Sequence, residues 1–405
     1  MLRSLFSGIS GLRAHQQMMD VTGNNISNVN TTGYKSSQTV FQDTLSQMLN
    51  AAGAPQNGSG GTNPAQIGLG VRMASVNANF SQGAAQTTGK AGDMMIQGDG
   101  FFVVKSGNES VYTRAGSFTF DANGSLTTPN GQIVQGWSAD TNGMVNTAGA
   151  PGDIKLPIGI SLAPTETKNF TLTGNLSYEA AADATSAKVI PIPVIDASGA
   201  SKTVNVTIQM SVKGDPSVPT DPEWTMTDEL GNTVTFVFPG GKPQDTANPG
   251  VPATTVTLGG YTVDVHDLTC YSGGTEARVS ASDGSAAGIL SSYTVSNTGQ
   301  IVGIFSNGLK QTLGQLALAN FNNVNGLEKI GDSMFRSTVN SGLAQVGAAG
   351  TAGLGLITNG ALEMSNVDLA QEFTNLVIAQ RGFQANSRII TTSDEILQEL
   401  VNLKR

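Results

Sequence analysis

Leu369, Leu376, Phe383, Ile390 and Leu397 recur at every seventh position, and Phe373 and Val401 fill a second place in the same repeat. A helix that keeps an apolar line at this interval needs a slender partner lying along it, as in a coiled coil. The positions between are largely Ser, Gln, Asn, Thr and Asp, so the seam is thinner than the broad stripe of a helix resting on a globular core. Ser365 followed by Asp368 resembles a capping box ahead of the helix, and Lys404 and Arg405 suit the negative end of its dipole.

The opposite end of the chain carries a second, shorter stripe. Leu2, Leu5, Ile9, Leu12 and Met19 follow a spacing of three and four, broken once at Gln16. Next comes "GNNISNVNTTGYK", residues 23 to 35, in which Gly23 and the asparagines are expected to stop the helix in a left-handed cap. Amides both donate and accept hydrogen bonds, so Asn24, Asn25, Asn28 and Asn30 are also candidates to tie packed copies together without burying charge. The candidate assembly residues are therefore the two apolar stripes and these four asparagines.

Between the helical ends the pattern changes to short alternating runs cut by turn residues. In 101 to 137 the Asn-Gly pairs at 123 to 124 and 130 to 131 mark β-hairpins, because both residues tolerate positive φ. Residues 293 to 314 repeat the order strand, Gly turn, strand, Asn-Gly turn. This implies a nested chain, mainly β with N- and C-terminal α-helices. Residues 1–35 and 361–405 form a terminal helical domain, 36–75 a connector, 76–150 with 284–360 a middle antiparallel β-domain, and 151–283 an inserted antiparallel β-domain.

Composition removes several functions. The net charge is −9 and no run of Lys or Arg exists, which argues against nucleic acid and anionic membranes. The two histidines and single cysteine leave no material for a histidine triad or a multi-cysteine metal site. "DANGSLTTPNGQ" at 121 to 132 begins like a calcium loop but has Leu126 and Gln132 where glycine and glutamate belong. "GAAGTAGLG" at 347 to 355 lacks the Lys-Ser or Lys-Thr of a phosphate loop. Catalysis thus has no positive support, and no cofactor is expected. No segment is long and apolar enough to span a bilayer, and the first residues are too broken by Ser, Gly and Arg for a cleaved signal peptide.

Two stretches, "SLFSGISGLRAHQQMMDVTGNNISNVNTTGYK" and "LEMSNVDLAQEFTNLVIAQRGFQANSRIITTSDEILQELVNLKR", together with "QGDGFFVV" and "YTRAGSFTFDANGSL", resemble the axial rod and hook family of the bacterial flagellum, hook members above all. Ser27 stands where that family often has Ala. The resemblance implies a homopolymer of hook subunits outside the cell. Its helical ends would form an inner tube as a coiled-coil-like layer, with the inserted β-domain outermost. It also implies type III export and contact with rod, hook cap and hook-filament junction proteins. Alternatives are a distal rod protein, which shares the end motifs, and a secreted β-rich carbohydrate-active enzyme or adhesin.

Overall fold

Two helices bracket the chain, α1 (Leu2–Ser27) and α2 (Leu369–Asn402). The computed structural model describes residues 2–55, 60–156, 159, 161–180, 187–213, 221–245 and 255–402. Lys404 and Arg405 lie outside them. The chain divides into two units: one of 1–158, 293–303 and 311–405, the other of 159–292 and 304–310.

In the first unit α1 does not stop at Gly23. It runs on through Asn24 and Asn25 to Ser27, and the left-handed turn falls at Gly33, with φ of 66°. The residues that finish the helix are side chains instead. Ser27 Oγ and Asn28 Nδ2 both donate to the Asn24 carbonyl, which also accepts from the Asn28 backbone N in the last turn. Glycine costs only about 1 kcal/mol inside a helix, so the packing that follows outweighs it. At the start of α2, Asp368 is itself the cap, its Oδ1 accepting from Ala370 N and Gln371 N. Ser365 only accepts from Val367 N, so the pair is not a capping box.

The stretch expected as a connector is an antiparallel ribbon. Ser37–Asp43 pairs with Val71–Ala78, and Ser46–Asn50 with Ala65–Gly68, extended by a bridge between Gly53 and Thr62. Its outer half is exposed on both faces.

A β-sheet then joins distant parts of the chain. Phe101–Ser106 pairs with both Glu109–Thr113 and Ile133–Ser138, while Lys310–Asn320 returns to pair with both 133–138 and 101–106. Gly136 faces Leu316, and Phe102 faces Leu318. Smaller ladders close the nest: Met94–Gln97 with Leu356–Asn359, and Ala85–Thr87 with Ala361–Glu363. Phe101, Tyr112, Trp137, Phe321 and Phe335 fill the core, and Phe101 meets Phe321 and Phe335 edge to face, as Tyr112 meets Phe321 at 4.7 Å. The 121 to 125 segment is a hairpin turn in which Asp121 Oδ1 accepts from Asn123 N and Ser125 N, so its carboxylate closes the turn.

The second unit has two sheets around one core. Lys188–Ile195, Ser201–Val212, Glu223–Thr227, Thr233–Val237 and Gln244–Asp245 make one. Thr255–Leu258, Tyr261–Tyr271, Asn169–Ser177 and Arg278–Ser282 make the other, with 169–177 and 261–271 running parallel. Along 188–195, Ile190, Ile192 and Val194 point inward while Pro191 and Pro193 stay outside. Proline has no N–H to give a ladder, so it sits well on this edge strand and blunts it. Trp224, Met226, Phe236 and Cys270 complete the core.

Candidate assembly interface

The two helices run antiparallel and meet through their smallest residues. A Cβ added to Gly8 would touch Asn386, Ile389 and Ile390; one on Gly11 would lie 2.7 Å from the Asn386 amide, and one on Gly382 2.5 Å from the His15 ring. Ala14, Thr22 and Asn25 of α1, and Ala379 and Ser393 of α2, are buried. Such a seat brings the backbones close, and it occupies a narrow strip of each helix.

The large apolar side chains fall beside that seat. Leu5, Ile9, Leu12 and Met19 are half-buried on α1, as are Leu376 and Ile390 on α2. Leu369, Phe373, Phe383, Leu397 and Val401 are exposed, Phe373 at 52% and Val401 at 67%. Leu2 lies within α1. Among the described residues, Ala379 is the one apolar side chain of α2 that the unit buries fully. The apolar spacing picks out side chains that flank the contact between the helices, and the small residues at its centre carry no apolar signal and were missed. Also missed was a second exposed set, Ile378, Ile389 and Ile396.

The asparagines divide. Asn25 is buried, and its amide is committed within the chain: Nδ2 donates to Ser37 O and Glu372 Oε1, and Oδ1 accepts from Tyr34 OH and Ser37 N. An amide so used has nothing left for another copy, which corrects the expectation at that position. Asn24 and Asn28 bond each other and line a cleft of about 570 Å³ together with Tyr34, Lys329 and Asp332. Asn30 is exposed.

Below the helices a buried charge cluster joins three segments far apart in sequence. Lys35 Nζ donates to Glu363 Oε1 at 2.6 Å and to Ser81 O, Gly83 N donates to the same carboxylate oxygen, and Arg114 Nη1 lies 3.5 Å from Glu363 Oε2. Lys35 and Glu363 side chains are both wholly buried. Burial holds the Lys35 ammonium below its ordinary pKa, with Glu363 pulling it back up. Burial likewise lowers Arg114, against the pull of Glu363 and Asp99. Asn366 adds a neutral tie, its Oδ1 accepting from Ser36 N and its Nδ2 donating to Asn79 O. Nothing in the spacing of Lys35, Arg114 and Glu363 announces their meeting.

Three family models match the chain: a flagella basal body rod protein model at 5–35, a flagellar hook protein FlgE/F/G D1 domain at 95–209, and a flagellar basal body rod FlgEFG protein C-terminal model at 358–403. The flagellar hook protein FlgE of Borreliella burgdorferi is 40% identical, and that of Treponema pallidum 37%, each alignment covering all of both chains. The chain belongs to the flagellar hook protein family. As a member it is a structural subunit of the hook, assembling into the hook polymer with other flagellar components. The flagellar basal-body rod protein FlgG of Bacillus subtilis is also similar, 32% identical over all of both chains. The crystal structure of Helicobacter pylori flagellar hook protein FlgE2 shares the fold, with a TM-score of 0.51 at 14% identity over 69% of this chain and all of that one. The hook-family helices thus carry exposed apolar side chains that their own unit leaves uncovered.

Proposed function

We propose that the subunit polymerises by burying the outer apolar side chains of α1 and α2 against other copies, forming a curved, flexible helical tube that passes motor torque from rod to filament as a universal joint. The observation that carries this reading is the outward display of Phe373, Leu397 and Val401 along a helix whose own seat is Ala379 and Gly382. Exposed patches of this kind mark interaction sites, and a head-to-tail contact repeated about an axis builds a helical assembly. Leu2, Leu5, Ile9, Leu12, Met19, Leu369, Leu376, Phe383 and Ile390 belong to the same ridges, with Asn24, Asn28 and Asn30 as neutral ties between copies. In this reading the helices line an inner tube. The subunit leaves the cell through a type III apparatus, then meets rod, cap and junction proteins. The low charge, 13% against an ordinary ~25%, favours contacts that exchange as the tube bends, because separating buried ion pairs is costly. Phe373→Glu tests the interface: the monomer is expected to keep its circular dichroism and unfolding midpoint while sedimentable polymer disappears. Normal polymer from that variant refutes it.

The similarity to a rod protein gives a second reading, a straight and stiff shaft. Electron microscopy of purified polymer separates the two, since curved tubes support the hook and straight ones the rod.

A further inference from the structure

One lysine of the first unit has its amine turned into a cleft and no carboxylate to hold it. Glu328–Gly331 and Met334–Arg336 form a hairpin in which Lys329 stands opposite Phe335. Opposed residues of an antiparallel pair point to the same face, and Phe335 is buried in the core, so the Lys329 side chain is sent inward as well. Its Nζ donates to Lys35 O and Ser37 Oγ, both at 2.9 Å, and lies 4.8 Å from the centre of the Tyr34 ring. All of these partners are neutral. Its neighbour Glu328 turns instead to Arg336, and among the described residues no carboxylate pairs with Lys329.

Burial holds the ammonium groups of both Lys35 and Lys329 below their ordinary pKa. In other respects the two differ. Lys35 is wholly buried and bound to Glu363 at 2.6 Å, whereas Lys329 remains exposed and lines the cleft of about 570 Å³ described above. A desolvated lysine without a counter-charge keeps more of its amine in the neutral, nucleophilic form at a given pH. Tyr34 supplies no anion, because burial and then Glu372 raise its hydroxyl. Asp332 lines the cleft without pairing with the amine, and much of the remaining wall is hydroxyl and amide, from Thr31, Thr32, Ser117, Thr128 and Asn130. Such groups both donate and accept, which suits a hydroxylated guest. At the rim Asp332 and Ser333 hold left-handed backbones, with φ of 53° and 56°, and strain of this kind in residues other than glycine gathers at ligand sites.

We propose that Lys329 is a modification site at which small hydroxylated aldehydes, such as open-chain sugars, condense with the amine. The neutral nitrogen adds to the carbonyl carbon, and both of its protons leave with the carbonyl oxygen as water, so C=N replaces C=O without an oxidant or a reductant. A protonated imine has one N–H where the ammonium has three. The adduct therefore gives up at least one of the ties to Lys35 O and Ser37 Oγ.

Reductive trapping tests this. The full-length monomer is treated at neutral pH with limiting glycolaldehyde and cyanoborohydride, then digested for mass spectrometry. The peptide carrying Lys329 is expected to be labelled several-fold sooner than those carrying Lys90, Lys202 and Lys310, which are exposed, and the lead should vanish in urea. Ser37→Asp sets a carboxylate where the hydroxyl now accepts from the amine, and should bring Lys329 down to the rate of the other three. Ser37→Ala removes the same hydroxyl without adding charge and should keep the lead. The proposal is overturned by native protein in which Lys329 has no lead, by a lead that survives urea, or by a Ser37→Asp variant labelled as fast as Ser37→Ala.

Discussion

Removing the Glu363 carboxylate should be among the most damaging single changes in the first unit. In Glu363→Ala, Lys35 keeps one acceptor, Ser81 O, and Gly83 N loses its acceptor. Arg114 keeps the face of Phe101, 5.3 Å from its guanidinium carbon, and the electrostatic pull of Asp99. Two cations would then sit together, buried, with no counter-charge in contact. Breaking a buried pair in this way costs about 3–5 kcal/mol, or a melting temperature lower by roughly 6–20 °C at ~2–4 °C per kcal/mol. Glu363→Gln, which still offers an oxygen to Lys35 and Gly83, should lose less. Calorimetry of the monomer at neutral pH reads both values, and Lys35→Met with Glu363→Ala should show a coupling of about 0.5–3 kcal/mol. The pH dependence supplies an independent sign. The folded Lys35 pKa lies below its unfolded value near ~10.4, so between the two the unfolded chain binds more protons and stability from this group rises with pH. Without Glu363 the ammonium is held less firmly, and the variant should regain part of its loss as pH climbs through the alkaline range. A loss under about 1 kcal/mol in Glu363→Ala, or a variant that weakens further on the way up, refutes the reasoning.

Other expectations are more local. Gly33→Ala meets two penalties, a positive φ of 66° and a Cβ 2.5 Å from the Ala115 backbone nitrogen, so a destabilisation above ~2 kcal/mol is expected in urea unfolding. Gly382→Val should force the His15 ring aside and loosen the α1–α2 seat, seen as faster amide exchange in both helices with the β-sheets unaffected. In the second unit, Asp196 is held below the usual carboxylate range by its bonds from Ser198 and Ala200, and Asp228 and Asp283 lie lower despite partial desolvation, through bonds from Asn232 and from Lys168 and Asn169. Their contributions are complete above the unfolded value of ~3.9 and vanish as pH falls through the folded values. Acid unfolding below about pH 4 should accordingly be blunted by Asp283→Asn. Burial also raises the Cys270 thiol, partly offset by Trp224, so a thiol reagent should label it only after unfolding.

How far the sequence could be read depends on the kind of signal involved. The seam from Leu369 to Leu397 and the Asn-Gly turns are local patterns in strong residue types, and the helix and hairpins they point to are present. What escaped was carried by residues without local signature. Gly11 and Gly382 act by what they lack, so an apolar count passes over the seat they form. Asn25 looks like its neighbours Asn24 and Asn28, yet helix phase turns it inward toward Glu372 while they face the cleft. Ser37–Asp43 and Val71–Ala78 alternate too weakly to read as strands, and their pairing is fixed by contact with each other and with α1, as where Val71 N donates to Ser10 Oγ. The Lys35, Arg114 and Glu363 meeting is a product of topology alone.

That cluster also bears on timing. Lys35 and Glu363 stand 328 positions apart, and loops of such span are slow to close and gain nothing until they do. The charge cluster of the first unit is therefore completed only when both ends of the chain are present. A chain cut short of Glu363 would keep Lys35 and Arg114 without the carboxylate that joins them.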